Sequence, residues 1–224
     1  MRKNKNDIKN YVDVELTPEQ LDLLKELGNI GSGHAITALS KLLDNNVEVS
    51  LTSVNIIPFW EIPELFNNKK NNVFGIISNI NEESQLTIVQ VYSKDSIINL
   101  INNLTVYEKL SADKIKLLSD LDEFSHSIIK EIGSILAGHY SNSLADLLST
   151  KLIPTFPQIA LDNVNAMLNY IIAKYSQISD YSIIIKTMLE VKEIKLNGVI
   201  CLIPNLNLLK NLFEILNIKY SMNL

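Results

Sequence analysis

One stretch of this chain is written twice. Lys25-Glu26-Leu27-Gly28-Asn29-Ile30-Gly31-Ser32-Gly33-His34-Ala35 returns as Lys130-Glu131-Ile132-Gly133-Ser134-Ile135-Leu136-Ala137-Gly138-His139-Tyr140, with Glu26 matched to Glu131 and Gly33 to Gly138 at a constant offset of 105 residues. A repeat of this length constrains the fold more than composition does, because it demands two equivalent places in one structure. It predicts two half-repeats, about 16–105 and 110–218, preceded by a mobile polar segment at 1–15 in which Tyr11, Val12 and Val14 could add an edge strand. No Gly/Ser-rich or Pro-rich linker separates the halves, so they are expected to share one interlocked core.

The pattern of elements supports an α/β (α+β) fold with a pseudo-two-fold axis. Thr17-Pro18-Glu19-Gln20 carries a helix start: Thr at the cap, Pro at the first helical position and Gln three residues after the cap. Leu21, Leu24, Leu27 and Ile30, then Ala35, Ala38, Leu39 and Leu42, recur at helical spacing and predict a core-facing stripe up to about Asp44. Strand patterns follow at Val47–Leu51 and Val54–Ile57, then a hairpin from Val73–Ile80 and Gln85–Tyr92, and a short helix over Asp95–Asn103. The second half repeats the order. It predicts a helix from about Ser119 to Leu148, an extended piece near Lys151–Leu161, a helix over Asp162–Ser176, strands at 181–191 and 196–203, and a helix at 205–216. The expected architecture is a shared β-sheet with the two long motif-bearing helices on one side.

Gly28, Gly31 and Gly33 each cost about 1 kcal/mol of helix propensity relative to Ala. Close packing inside the fold is the first explanation for them, and clearance for a docking protein the second.

Charge and composition exclude several classes of function. A net charge of −5 and a pI near 5.3 give no basic field for nucleic acid. The single cysteine, Cys201, lies in the apolar run Val199–Ile203 and reads as a buried hydrophobe. No apolar run follows the charged N-terminus as a secretory signal requires, and none reaches the roughly 20 residues needed to insert into a membrane. A cytoplasmic protein is expected. His34, His126 and His139 show no metal-ligand spacing, so no metal is expected. No G-x-S-x-G elbow frames a serine nucleophile. The glycines from 28 to 33 lie within a helix rather than between strand and helix, which argues against a nucleotide loop.

On the first long helix Asp22, Glu26 and Asn29 form one polar ridge that should face solvent, and Ser127, Glu131 and Ser134 occupy the same places on the second. A polar ridge alone is what any amphipathic helix presents. An acid at the same place in both copies is not required for solubility.

The pattern Asp/Ser-x3-Glu-x2-Asn-x22-Pro, the run Glu-Leu-Gly-Asn-Ile-Gly-x-Gly-His-Ala and its copy Glu-Ile-Gly-x-Ile-Leu-Ala-Gly resemble the CheC family of chemotaxis phosphatases, which includes CheX and FliY. The resemblance runs from about Leu16 to Ile218 and is greatest to CheC itself. It implies dephosphorylation of the phospho-aspartate of the response regulator CheY, with Glu26 docking the regulator and Asn29 positioning the attacking water. It implies Glu131 and Ser134 as a second, degenerate site, and Asp22, Ser127 and Pro157 as motif support. No cofactor of its own is implied, since the regulator would bring Mg²⁺.

Two departures shape the expectation. Ser134 replaces the second amide, and Thr52 stands where the first copy would have the motif proline, whereas Pro157 fits the second. One working site is expected. The alternatives are an adaptor that binds phosphorylated CheY and the deamidase CheD with little or no turnover, and a flagellar-switch phosphatase like FliY. The latter ranks third because the chain closes near the end of the CheC-like region.

Overall fold

Thr17 opens the first helix through a reciprocal cap. Its N–H donates to Gln20 Oε1 at 2.8 Å and its hydroxyl accepts from the Gln20 N–H at 3.3 Å, satisfying two donors that a helix end leaves unpaired. Gln20 Nε2 also donates to the Leu216 carbonyl at 2.7 Å, tying the start of this helix to the end of the last one. The structure is a computed structural model that describes residues 16–44, 47–58, 62, 71–81, 85–105, 109–175, 181–191 and 194–217. The proposed edge strand around Tyr11 and the mobile segment at 1–15 lie outside the described residues.

In chain order the elements are α1 (Pro18–Leu43), β1 (Val47–Pro58), β2 (Asn72–Ile80), β3 (Leu86–Ser93), α2 (Lys94–Leu104), α3 (Glu123–Leu147), β4 (Gln158–Asn163), α4 (Val164–Tyr175), β5 (Tyr181–Val191), β6 (Ile194–Pro204) and α5 (Leu206–Ile215). Among the described residues, six strands form one antiparallel sheet in the order β1-β5-β6-β3-β2-β4. That order is unchanged when the two halves are exchanged. β3 and β6 meet at the centre, and each half places its first strand at the outer edge of the other half's hairpin. The shared sheet and the α/β class are therefore as the repeat predicts.

Strand β2 is buried almost along its length because helices cover both faces of the sheet. Phe74, Ile76 and Ile80 join the larger core with α1, α2, α3 and α5. Val73 and Ile77 point the other way, into a smaller cluster with Val164, Met167, Leu168 and Ile171 of α4. The period of two along a strand produces this division. Cys201 belongs to the smaller cluster, fully buried, and burial pushes its thiol up to about 12.

Three local expectations need correction. Helix α3 begins at Glu123 rather than Ser119, because Asp122 caps it by accepting the Ser125 N–H at 2.8 Å. Upstream, the Asp120 carboxylate takes the N–H groups of Lys116 and Leu117, closing a single 3-10 turn at Leu118–Asp120. Of the extended piece near 151–161, only the stretch from Gln158 pairs as a strand; before it Pro154 makes one isolated bridge to Ile80. Finally, the two extended pieces after α1 are one strand, β1, whose register shifts between Leu51 and Ser53 so that Thr52 is the extra residue of a bulge.

Candidate functional site

Helices α1 and α3 lie on the same face of the sheet and cross antiparallel. His34 meets His139, ring centroids 6.0 Å apart in an edge arrangement. Further along, Leu23, Glu26, Leu27 and Ile30 of α1 border one groove with Ser143, Asp146 and Leu147 of α3. The crossing is close because Gly31 sits against the Tyr140 ring: a Cβ there would stand 2.7 Å from Cδ1. Gly133 is held as tightly against the sheet, where a Cβ would collide with Ile76. Gly33 and Gly138 differ, since a Cβ at either would meet nothing within 4 Å. Internal packing therefore explains the first pair of glycines and leaves the second pair with nothing packed against them.

The ridge predicted on α1 faces solvent: Asp22, Glu26 and Asn29 are all exposed. Its counterpart on α3 exposes Ser127 and Glu131, while Ser134 is half-buried. Asp22 draws Lys25 to 3.5 Å. Pro157 is buried immediately before β4, as a residue without an N–H suits the entry to a strand. Thr52, in the equivalent place, is the bulge of β1. Ile30 is a further correction, because the helical stripe assigns it to the core and it is 40% exposed at the groove.

Behind the ridge, each motif helix is pinned at the same glycine by different groups. The Gly28 carbonyl accepts from the Ser32 hydroxyl at 2.8 Å, and that hydroxyl lies 2.8 Å from the Tyr140 hydroxyl of α3. Both side chains are buried. Burial pushes the Tyr140 phenol up to about 12, opposed by the bond to Ser32. On α3 the Gly133 carbonyl accepts from Gln90 Nε2 at 2.7 Å, and Gln90 Oε1 accepts from the Tyr92 hydroxyl at 3.1 Å. Burial, and then the charge of His34, holds His139 below the ordinary imidazole value.

Sequence reasoning missed Ser32, Tyr140, Gln90 and Asp146. Only Asp146 left a readable sign. Along the aligned motif helices, 17–44 against 122–149, it stands opposite Lys41, the one position at which the charge is reversed.

Chemically, the α1 ridge offers a neutral carboxamide one turn from a carboxylate, both reachable from outside. Among the described residues no group of three or more His, Cys, Asp or Glu side chains could hold a metal ion, and no helix is long and apolar enough to cross a membrane.

The model of the CheC-like family matches residues 19–50, which hold the first motif helix and the opening of β1. CheY-P phosphatase CheC of Bacillus subtilis (strain 168) is 28% identical over 174 residues, covering 75% of this chain and 79% of that protein. Among solved structures, Thermotoga maritima FliY aligns with a TM-score of 0.65 at 19% identity, covering 90% of this chain and 98% of that one. A chain of the FliM–SpeE complex from H. pylori aligns with a TM-score of 0.63 at 11% identity, covering 91% and 97%. At these identities the structural likeness is one of fold.

Proposed function

We propose that this chain, which belongs to the CheC-like family, removes the phosphoryl group from the phospho-aspartate of a CheY-type response regulator and does so at the α1 ridge. The observation that carries this reading is the joint exposure of Glu26 and Asn29 on one helix face, within the segment that the family model matches. An acyl phosphate hydrolyses through a loose transition state, which asks for an in-line water and well-placed charge more than for a strong base. The Asn29 carboxamide both donates and accepts hydrogen bonds and carries no charge. It can therefore enter a phosphate-bearing pocket without repulsion and hold the attacking water. Glu26, one turn earlier, pairs with a cation of the regulator and sets the helix in register. The regulator supplies its own Mg²⁺.

Glu131 keeps the docking half of the second site, but Ser134 has a shorter side chain and is half-buried. A water held about 1 Å out of place can lose about a hundredfold in rate. The exposed Glu131 with no amide beside it favours one further reading, a surface that binds phosphorylated CheY without turning it over, in an adaptor that also binds CheD. Turnover separates the two. With phosphorylated regulator, Asn29→Ala is expected to lose about a hundredfold in kcat and Ser134→Asn to raise it. Unchanged hydrolysis by Asn29→Ala sinks the site assignment.

A further inference from the structure

The groove beside Glu26 has one wall from each motif helix, and a carboxylate stands on each: Glu26 on α1 and Asp146 on α3. Both side chains are exposed, and among the described residues neither has an ion-pair partner. Its floor is apolar, with Leu23 and Ile30 left 37% and 40% exposed beside Leu147. An apolar trough between two acids suits one kind of side chain, a long aliphatic stem that ends in a cation.

The other half supplies a built-in contrast. At the offset of 105 residues the apolar lining recurs, Leu23 as Ile128, Ile30 as Ile135 and Leu147 as Leu42, and Glu26 recurs as Glu131. Asp146 does not recur. Lys41, exposed on α1, takes its place. The first groove therefore presents two negative charges to a partner, and the equivalent place in the second presents one of each sign.

We propose that Asp146 is a docking residue of the first site, that it and Glu26 bracket a groove receiving a basic side chain of the phosphorylated regulator, and that Lys41 bars the equivalent groove to that side chain. The inference rests on the phosphatase reading of the Asn29 ridge. It also gives the second site a defect independent of Ser134, in recognition rather than in water placement.

The test measures steady-state dephosphorylation, together with equilibrium binding to a regulator loaded with beryllofluoride, at low and high salt. Asp146→Lys is expected to raise KM and the dissociation constant about tenfold with kcat unchanged, Asp146→Asn less, and both effects to shrink as salt screens the charges. Lys41→Asp combined with Ser134→Asn is expected to exceed Ser134→Asn alone in kcat/KM. Unchanged KM and binding in Asp146→Lys overturn the proposal, as does a fall in kcat with binding intact. Asn29→Ala, run alongside, keeps the two ideas apart. Wild-type turnover by Asn29→Ala sinks the phosphatase reading, whereas an inactive Asn29→Ala with an unaffected Asp146→Lys sinks the docking role alone.

Discussion

The two motif helices descend from one pattern, yet they are anchored from opposite directions. In α1 the carbonyl before the motif amide is tied sideways, through Ser32 to Tyr140 on the neighbouring helix; in α3 the equivalent carbonyl is tied downwards, to Gln90 on the sheet. Exchanging the halves would put Ala137 where Ser32 stands and Ala35 where Tyr140 stands. Position is thus preserved while its means are not. A fixed glycine carbonyl is what both helices share, and the side chains that fix it have diverged with the chemistry of the residue that follows.

The largest expected effect comes from breaking the sideways anchor. Tyr140→Ala removes a fully buried ring that fills the space over Gly31 and should lower stability by about 3–5 kcal/mol. Tyr140→Phe removes only the hydroxyl and should cost about 1 kcal/mol. Urea unfolding reads both, and equal losses in the two variants would show that the ring does not bear on α1. Next come the glycines. Gly133→Ala drives a methyl into Ile76 and should destabilise by about 1–3 kcal/mol, whereas Gly138→Ala points into open space and should gain up to about 1 kcal/mol of helix propensity. A shared sign for the two substitutions in thermal unfolding would remove the distinction between packed and bare glycines.

The smallest effect concerns the histidine pair. His139 has a folded-state pKa below its ordinary value, so the unfolded chain binds a proton first as pH falls. Its contribution to stability is complete above the ordinary imidazole pKa and is lost as pH drops through the lowered one. Melting temperatures between pH 7.5 and 5 should fall more steeply in the wild type than in His139→Asn. Parallel curves would place the titration elsewhere.

Much of this architecture is legible in the sequence wherever the signal is local. Thr17 and Gln20 announce their cap within four residues, and β2 and β3 announce a hairpin by apolar runs around a polar turn. The exposed ridge followed from helical periodicity alone. What stayed hidden depends on neighbours distant in sequence. Nothing near Ile30 tells that its outer side borders a groove closed by Leu147. Nothing near Thr52 tells that β5 runs past it and forces a bulge, and Gly31 gave a reason to expect close approach without naming Tyr140. The late start of α3 is a different failure: Asp120 closes a separate turn first, and Asp122 then caps the helix.

The exchange of outer strands also governs how such a chain can come into being. Val47 lies opposite Val191 and Pro58 opposite Tyr181, so during synthesis β1 leaves the ribosome long before the strand that flanks it exists. Pairing over so large a sequence separation is entropically slow. Until it forms, a strand with one apolar face waits with an open edge, the condition under which chains stick to one another. Each half borrows its outer strand from the other, so both ridges depend on that late pairing.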